Sequence, residues 1–195
     1  MRVYEIERNT KETKIKMSLN LDGSGKANIN TGIGFMDHML ELLAFHGDFD
    51  LMVKCDGDLK VDSHHSVEDI GIVLGDCIAG ALGDKKGITR YGFFKMPMDE
   101  ALVETVLDIS GRSFLVYNAT LPTQRLGIYE TEMTEEFFRA VAFHAGITLH
   151  INEIYGSNTH HIIEAMFKSF ARALKEAVSI DEKHKDQVIS SKGIL

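Results

Sequence analysis

Alternation of apolar and polar residues marks the predicted strands. Residues 13–21 carry an apolar side chain at nearly every second position, which is typical of a strand with one buried face. Gly23 and Gly25 follow, and they predict a turn. Similar short stretches predict further strands at residues 51–55, 101–109, 113–117 and 147–152.

A different spacing predicts four helices. Apolar residues recur every three or four positions between residues 34 and 46, and Gly47 stands where that helix would end. The same spacing predicts a helix over residues 135–145. Two further apolar stripes, at residues 70–82 and 162–174, belong to helices that begin at the pairs of adjacent histidines.

The second half of the chain repeats the order of the first. His64 and His160 are 96 positions apart, and Ala-Phe-His occurs at residues 44–46 and again 98 positions later. Glu12 and Glu100 are 88 positions apart, as are the turn glycines 23 and 111. Self-similarity of this kind indicates duplication. We therefore predict an α+β fold of two similar halves, residues 1–86 and 87–195, with four helices packed between two sheets around one shared core.

Composition restricts the class of protein. With 195 residues, 44% of them hydrophobic, the chain can bury a sizeable core. A net charge of −8 argues against a nucleic-acid partner. Cys55 and Cys77 form no C-x-x-C pair and are interpreted as reduced thiols. Charges interrupt the amino terminus and no long apolar run follows, so we expect a cytoplasmic protein without a membrane segment.

Two His-His-x-x-Glu motifs carry the candidate chemistry. In the first, Glu68 lies one helical turn after His64 and His65, on a shared face. Imidazole and carboxylate together suit borderline divalent ions such as Mn, Fe, Co or Zn. Adjacent histidines point about 100° apart on a helix, so each is expected to serve a different ion. The second motif repeats the pattern with His160, His161 and Glu164.

A single histidine pair near a helix start is more often a cap or a surface feature, but its duplication favours a dinuclear metal site. Superposing the halves also places His38 opposite Glu136, and both residue types ligate metals. Arg90, Arg112 and Lys192 could hold a phosphate, although position alone suggests surface charges. The last six residues have the composition of an anion-binding loop.

Four motifs in order resemble the imidazoleglycerol-phosphate dehydratase family. They are Gly-Ile-Gly-Phe-Met-Asp-His-Met-Leu at 32–40, Asp-Ser-His-His-Ser-Val-Glu-Asp at 62–69, Asn-Thr-His-His-Ile-Ile-Glu at 158–164 and Ser-Ser-Lys-Gly at 190–193. The resemblance runs from about Glu12 to the last residue. It implies a duplicated fold of the ribosomal protein S5 domain 2-like type and a homo-oligomer of 24 subunits with sites at subunit interfaces. It also implies two manganese ions per active site.

The resemblance further assigns residues to roles. One ion would take His38, His65, Glu68 and His160, and the other His64, His161, Glu164 and position 136. Many family members have histidine where Glu136 stands, which puts the charge and metal preference of the second ion in doubt. Substrate contacts map to Glu12, Arg90, Arg112, Ser190 and Lys192, the last four around phosphate.

The implied reaction is the dehydration of a glycerol phosphate side chain to an acetol phosphate in histidine biosynthesis, by a metal-dependent hydro-lyase. If both ring nitrogens bind metal, the ring becomes an imidazolate that can expel hydroxide and leave a diazafulvene. Glu12, or a ligand such as His38, His64 or Glu164, would move protons. The alternatives are a di-metal hydrolase and a non-catalytic metal-binding protein.

Overall fold

A computed structural model describes residues 1–195. Two four-stranded sheets enclose a layer of four α-helices, so the predicted α+β class is confirmed. The first half contains β1 (Val3–Asn9), β2 (Thr13–Asn20), β3 (Ala27–Asn30), α1 (Gly34–Gly47), β4 (Asp50–Gly57) and α2 (His64–Leu82). The second contains β5 (Tyr91–Met98), β6 (Ala101–Asp108), β7 (Phe114–Asn118), β8 (Arg125–Leu126), β9 (Tyr129–Glu130), α3 (Met133–Ala145), β10 (Thr148–Tyr155) and α4 (Thr159–Val178), with a 3-10 turn at Glu182–His184.

Both sheets have the same strand order. The first is β1-β2-β4-β3 and the second is β5-β6-β10-β7. In each, the first two pairings are antiparallel and the last is parallel. The small β8–β9 hairpin is an addition of the second half. The predicted duplication is therefore visible in the topology, whereas the division after residue 86 stays a prediction.

All four predicted helices are present, and α2 and α4 begin at the histidine pairs. None of the helices is both long and apolar enough to cross a lipid bilayer. The sequence pattern missed the edge strands β1, β3 and β5, and also the short β8–β9 hairpin. In β1 only Ile6 and Arg8 are even partly buried, so the alternation that reveals a half-buried strand is weak there.

The helices pack in pairs that join the two halves, α1 with α4 and α2 with α3. Two glycines of α2 allow the close approach of α3. A Cβ at Gly71 would lie 2.8 Å from the Phe137 carbonyl oxygen, and one at Gly75 would lie 2.9 Å from the Val141 carbonyl oxygen. Forty-eight buried apolar residues from both halves form one continuous core.

The two cysteines lie inside this core and form no disulfide. Burial raises the pKa of the Cys55 thiol to about 11 and that of Cys77 to about 12. Both are therefore protonated at neutral pH and unsuited to nucleophilic or metal-binding roles.

Strand β5 and helix α4 meet without room for a side chain at Gly92. A Cβ there would lie 1.9 Å from the Ala173 carbonyl oxygen, and backbone atoms cannot rotate away. We expect Gly92→Ala to lower the free energy of unfolding by about 1–3 kcal/mol, measured by urea denaturation. Gly34→Ala is the matched control, because a Cβ at Gly34 meets no atom within 4 Å. Equal stability of the two variants would contradict this packing.

Candidate metal centre

Polar side chains before α4 and α2 accept hydrogen bonds from the first turns of the helices that carry the two motifs, although Ser63, the N-cap residue of α2, makes no side-chain cap bond. The Asn158 side chain accepts hydrogen bonds from the backbone N–H groups of His160 (2.9 Å) and His161 (3.4 Å). At α2 the Asp62 carboxylate accepts from the His64 N–H at 2.8 Å. Both histidine pairs thus lie in a well-defined first turn, where neighbouring side chains diverge.

The two rings of each pair indeed point apart. The centroids of His64 and His65 are 6.3 Å apart with planes at 68°, and those of His160 and His161 are 6.3 Å apart with planes at 75°. The two rings of each pair are therefore neither stacked nor parallel. This geometry agrees with the expectation that neighbouring histidines face different partners.

One cluster joins the halves where α1 crosses α4. The Nε2 atoms of His38 and His160 lie 3.7 Å and 3.3 Å from Oε2 of Glu164. The other carboxylate oxygen of Glu164 accepts from Lys168 Nζ at 2.5 Å. The lysine therefore occupies one edge of the carboxylate and leaves the other edge to the histidines.

Glu164 is ionised despite its environment. Only 7% of the residue is exposed, and burial alone would raise the pKa of its carboxyl. The hydrogen bond and charge of Lys168, with smaller contributions from His38 and His160, outweigh burial and hold this pKa below its usual value. A buried carboxylate is thus available beside two imidazoles.

The donor set of this cluster fits a divalent metal ion. One ligand atom each from His38, His160 and Glu164 lie within 4.8 Å of one another. Two imidazole nitrogens and one carboxylate oxygen are a set that borderline ions such as Mn²⁺, Fe²⁺ or Zn²⁺ accept. Three protein ligands also leave coordination positions for further groups.

A second, smaller cluster is the His64–Glu68 pair at the start of α2, where His64 Nε2 lies 3.6 Å from Oε2 of Glu68. His64 and Glu136 of α3 line the same cavity of about 780 Å³. Glu136 itself faces the Arg139 guanidinium, at 3.4 Å. In both clusters a histidine lies near the glutamate four positions later on its helix, but His64 makes no ion pair with Glu136, whereas His38 contacts Glu164.

His65 and His161 contact other carboxylates. His65 Nδ1 lies 3.0 Å from Asp58 Oδ2, and its Nε2 lies 3.8 Å from Glu12 Oε1. His161 Nδ1 lies 2.7 Å from Glu100 Oε2. The hydrogen bonds that His65 and His161 donate to the carboxylates of Asp58 and Glu100 raise the pKa values of the two histidines. The His161 hydrogen bond, in turn, lowers the pKa of Glu100 to about 2.

Within one chain the ligands are grouped differently from the expected sets. His38 and His160 are together as expected, but they meet Glu164, which the resemblance assigns to the other ion. Likewise His64 meets Glu68. His65 and His161 join neither cluster, and Glu136 contacts Arg139 instead. The eight predicted ligands therefore form five separate groups, and their assignment to two ions stays a prediction.

The predicted phosphate contacts gather at one end of the second sheet. Arg90 donates to the Asp108 carboxylate from Nε (2.7 Å) and Nη2 (3.0 Å), and to the Ile189 carbonyl from Nη1 (2.7 Å). This last bond draws the carboxyl-terminal segment, with Ser190 and Lys192, back onto the sheet. Arg112 is exposed nearby. The preceding residue, Gly111, packs closely against the last residue of the chain, because a Cβ added at Gly111 would lie 2.8 Å from the carboxyl carbon of Leu195.

None of these four residues forms a hydrogen bond or ion pair with the motif histidines and glutamates. Sequence reasoning also missed Asp58 and Lys168, and it named Glu100 only as a repeat anchor. Asp58 lies in the loop between β4 and α2, and Glu100 lies in the turn between β5 and β6, where no periodicity reveals a partner. Lys168 could have been found, since it lies four positions after Glu164 on one helix.

Comparison with known proteins decides the family. The family model for imidazoleglycerol-phosphate dehydratase matches residues 31–174, which include both His-His-x-x-Glu motifs. The chain belongs to this family. The imidazoleglycerol-phosphate dehydratase of Lactococcus lactis subsp. lactis is 64% identical, with 100% of this chain and 99% of the relative covered. That of Acetivibrio thermocellus is 61% identical over 100% of this chain and 99% of the relative.

Solved structures of the family have the same fold. The imidazoleglycerol-phosphate dehydratase of Staphylococcus aureus is 44% identical and superposes with a TM-score of 0.84, over 92% of this chain and 99% of that one. The Pyrococcus furiosus structure is 35% identical and also has a TM-score of 0.84, over 97% and 100% of the two chains. The α+β architecture is therefore that of the family.

The His38–His160–Glu164 cluster leads to a direct prediction. Glu164→Gln replaces a charged ligand by a neutral amide, so we expect manganese bound after loading and desalting to fall by about one equivalent per chain. Elemental analysis measures this content. Glu41→Gln is the control, because Glu41 is exposed on α1 and makes no ion pair. Unchanged metal content in Glu164→Gln would rule out this cluster as a binding site.

Proposed function

We propose that the chain is a metal-dependent hydro-lyase that dehydrates imidazoleglycerol phosphate to imidazole acetol phosphate in histidine biosynthesis. Membership of the dehydratase family over most of the chain supports this substrate and reaction. The observation that carries the proposal is the His38–His160–Glu164 cluster, which presents two imidazole nitrogens and a carboxylate at one point. The motif of α2 offers the same residue types in the His64–Glu68 pair.

Two manganese ions per active site are part of the proposal. The ligands would be His38, His64, His65, Glu68, Glu136, His160, His161 and Glu164. Bound divalent ions would favour the deprotonated form of an imidazole ring and stabilise negative charge on the substrate. Lys168 would help by keeping Glu164 ionised and oriented, with Oε2 toward the histidines.

The chain's own residues would hold the rest of the substrate. Arg112 and Lys192 are exposed cations at the end of the second sheet, and Ser190 lies in the turn that also contains Gly193. Together with Arg90 they offer the donors that a phosphate requires. Arg90 is oriented by Asp108 and Ile189, so its guanidinium loses little freedom on binding.

Dehydration breaks one C–O bond and one C–H bond, releases water and leaves an enol that becomes a ketone. The proton needs an acceptor beside the substrate. Glu12 is suited to this because 54% of its side chain is exposed and it lies 3.8 Å from His65 Nε2. His38, His64 and Glu164 are the further groups that could transfer protons. The imidazolate and diazafulvene route stays a prediction.

The separation of the proposed phosphate-binding residues from the metal clusters supports a homo-oligomer. The phosphate-binding residues have no contact with either metal cluster of the same chain, and a second copy would complete the site from its neighbour. We propose the assembly of 24 subunits implied by the resemblance, in the cytoplasm. Light scattering after size-exclusion chromatography measures the mass of this assembly.

An assay with imidazoleglycerol phosphate tests the function. After chelation we expect no ketone product, and we expect activity to return when Mn²⁺ is added. Release of phosphate without ketone would instead indicate a di-metal hydrolase. Manganese binding without any turnover would indicate a non-catalytic metal-binding protein, and either result would overturn the proposal.

A further inference from the structure

The second histidine of each motif is held by a carboxylate of its own half. The carboxylate of Asp58, in the loop before α2, approaches His65 Nδ1 at 3.1 Å and 3.0 Å. That of Glu100, in the turn before β6, approaches His161 Nδ1 at 2.7 Å. In both cases the other ring nitrogen, Nε2, points away from this carboxylate. In both halves a carboxylate therefore contacts Nδ1 of the second motif histidine, but the two carboxylates come from different positions in the fold.

The duplication explains why the places differ. Glu12 and Glu100 are equivalent, since each immediately precedes a matching strand, β2 or β6. Yet Glu12 lies on the Nε2 side of His65, whereas Glu100 binds the Nδ1 of His161. In the first half Asp58 contacts the histidine Nδ1, as Glu100 does in the second half. Glu12 therefore makes no contact with Nδ1 of His65.

The second half has no room for an equivalent of Asp58. β4 ends at Gly57 and β10 ends at Tyr155, so the position that corresponds to Asp58 is Gly156. A Cβ at Gly156 would lie 2.6 Å from Ile162 Cγ1 and 3.1 Å from Ala101 Cβ. A side chain there would have to displace the buried Ile162 side chain. Glu100 supplies the carboxylate instead.

We propose that Asp58 and Glu100 are positioning residues that accept a hydrogen bond from Nδ1 of His65 and His161, and so present Nε2 of each ring as the metal-binding nitrogen. A neutral imidazole has one N–H, and a proton fixed on Nδ1 leaves the lone pair on Nε2. This inference rests on the proposed metal-dependent function. It also explains how Glu12 alone of the two equivalent glutamates is available to substrate.

Glu100 offers a sharp test because its two oxygens have different partners. Oε1 accepts from the backbone N–H of Asn158 at 2.7 Å and Oε2 faces His161. In Glu100→Gln the amide oxygen can keep the backbone bond, which turns the NH2 group toward His161. The ring must then accept at Nδ1 and carry its proton on Nε2. We expect about 10–100-fold weaker binding of one ion.

The experiment is a Mn²⁺ titration of metal-free protein, followed by electron paramagnetic resonance, which detects free Mn²⁺. The ¹⁵N spectrum of histidine-labelled, metal-free protein reports the tautomer, and one ring should change in Glu100→Gln. Asp58→Ala removes the other carboxylate and should weaken one ion by a similar factor. Asp76→Asn is the control, since Asp76 contacts His144 Nδ1 at 2.9 Å away from both clusters.

The outcomes separate the two proposals. If the unaltered protein binds no Mn²⁺, the metal-dependent function fails. If it binds Mn²⁺ and both Glu100→Gln and Asp58→Ala bind as tightly, the positioning role is wrong. An equal loss in Asp76→Asn would also overturn it. Thermal unfolding of the metal-free variants identifies a loss of folding, and if one variant does not fold, the other decides.

Discussion

The packing of helices from opposite halves is the constraint on which the site depends. α1 crosses α4 and α2 crosses α3, so each His-His-x-x-Glu motif receives a residue from the other half. His38 reaches Glu164 in this way, and Glu136 lines the cavity beside His64. Gly71 and Gly75 permit one of these approaches, since any Cβ there would meet the α3 backbone. Loss of the close packing would therefore separate the ligands as well as weaken the core.

Duplication supplied the two clusters, but they are unequal. The first contains two imidazoles and a glutamate, whereas the second contains one imidazole and one glutamate, with Glu136 lining the cavity beside His64. Equivalent positions have also changed role, because Glu12 is exposed near His65 while Glu100 is engaged by His161 and the backbone before α4. A fold with two similar halves thus carries two unlike groups of motif residues.

The sequence predicted the four helices, the central strands and the duplication, because buried faces impose a periodicity that can be read directly. Edge strand β1 was missed because few of its residues are buried, so its sequence shows no clear periodicity. The motif histidines and glutamates were found from spacing, and His38 and Glu136 from the repeat. Asp58 and Glu100 could not be assigned a partner, since their contacts depend on how loops meet helix ends. The grouping of Glu164 with His38 required the crossing of α1 and α4.

Residues of both halves are proposed to hold metal jointly at these clusters. A crystal structure of the manganese-loaded protein, with anomalous scattering recorded at the manganese edge, locates the bound ions. We expect one anomalous peak within coordination distance of His38 Nε2 and His160 Nε2, and a second peak at His64. If manganese were bound only at residues outside the two motifs, His38 and Glu136, joint metal binding by the two halves would be wrong.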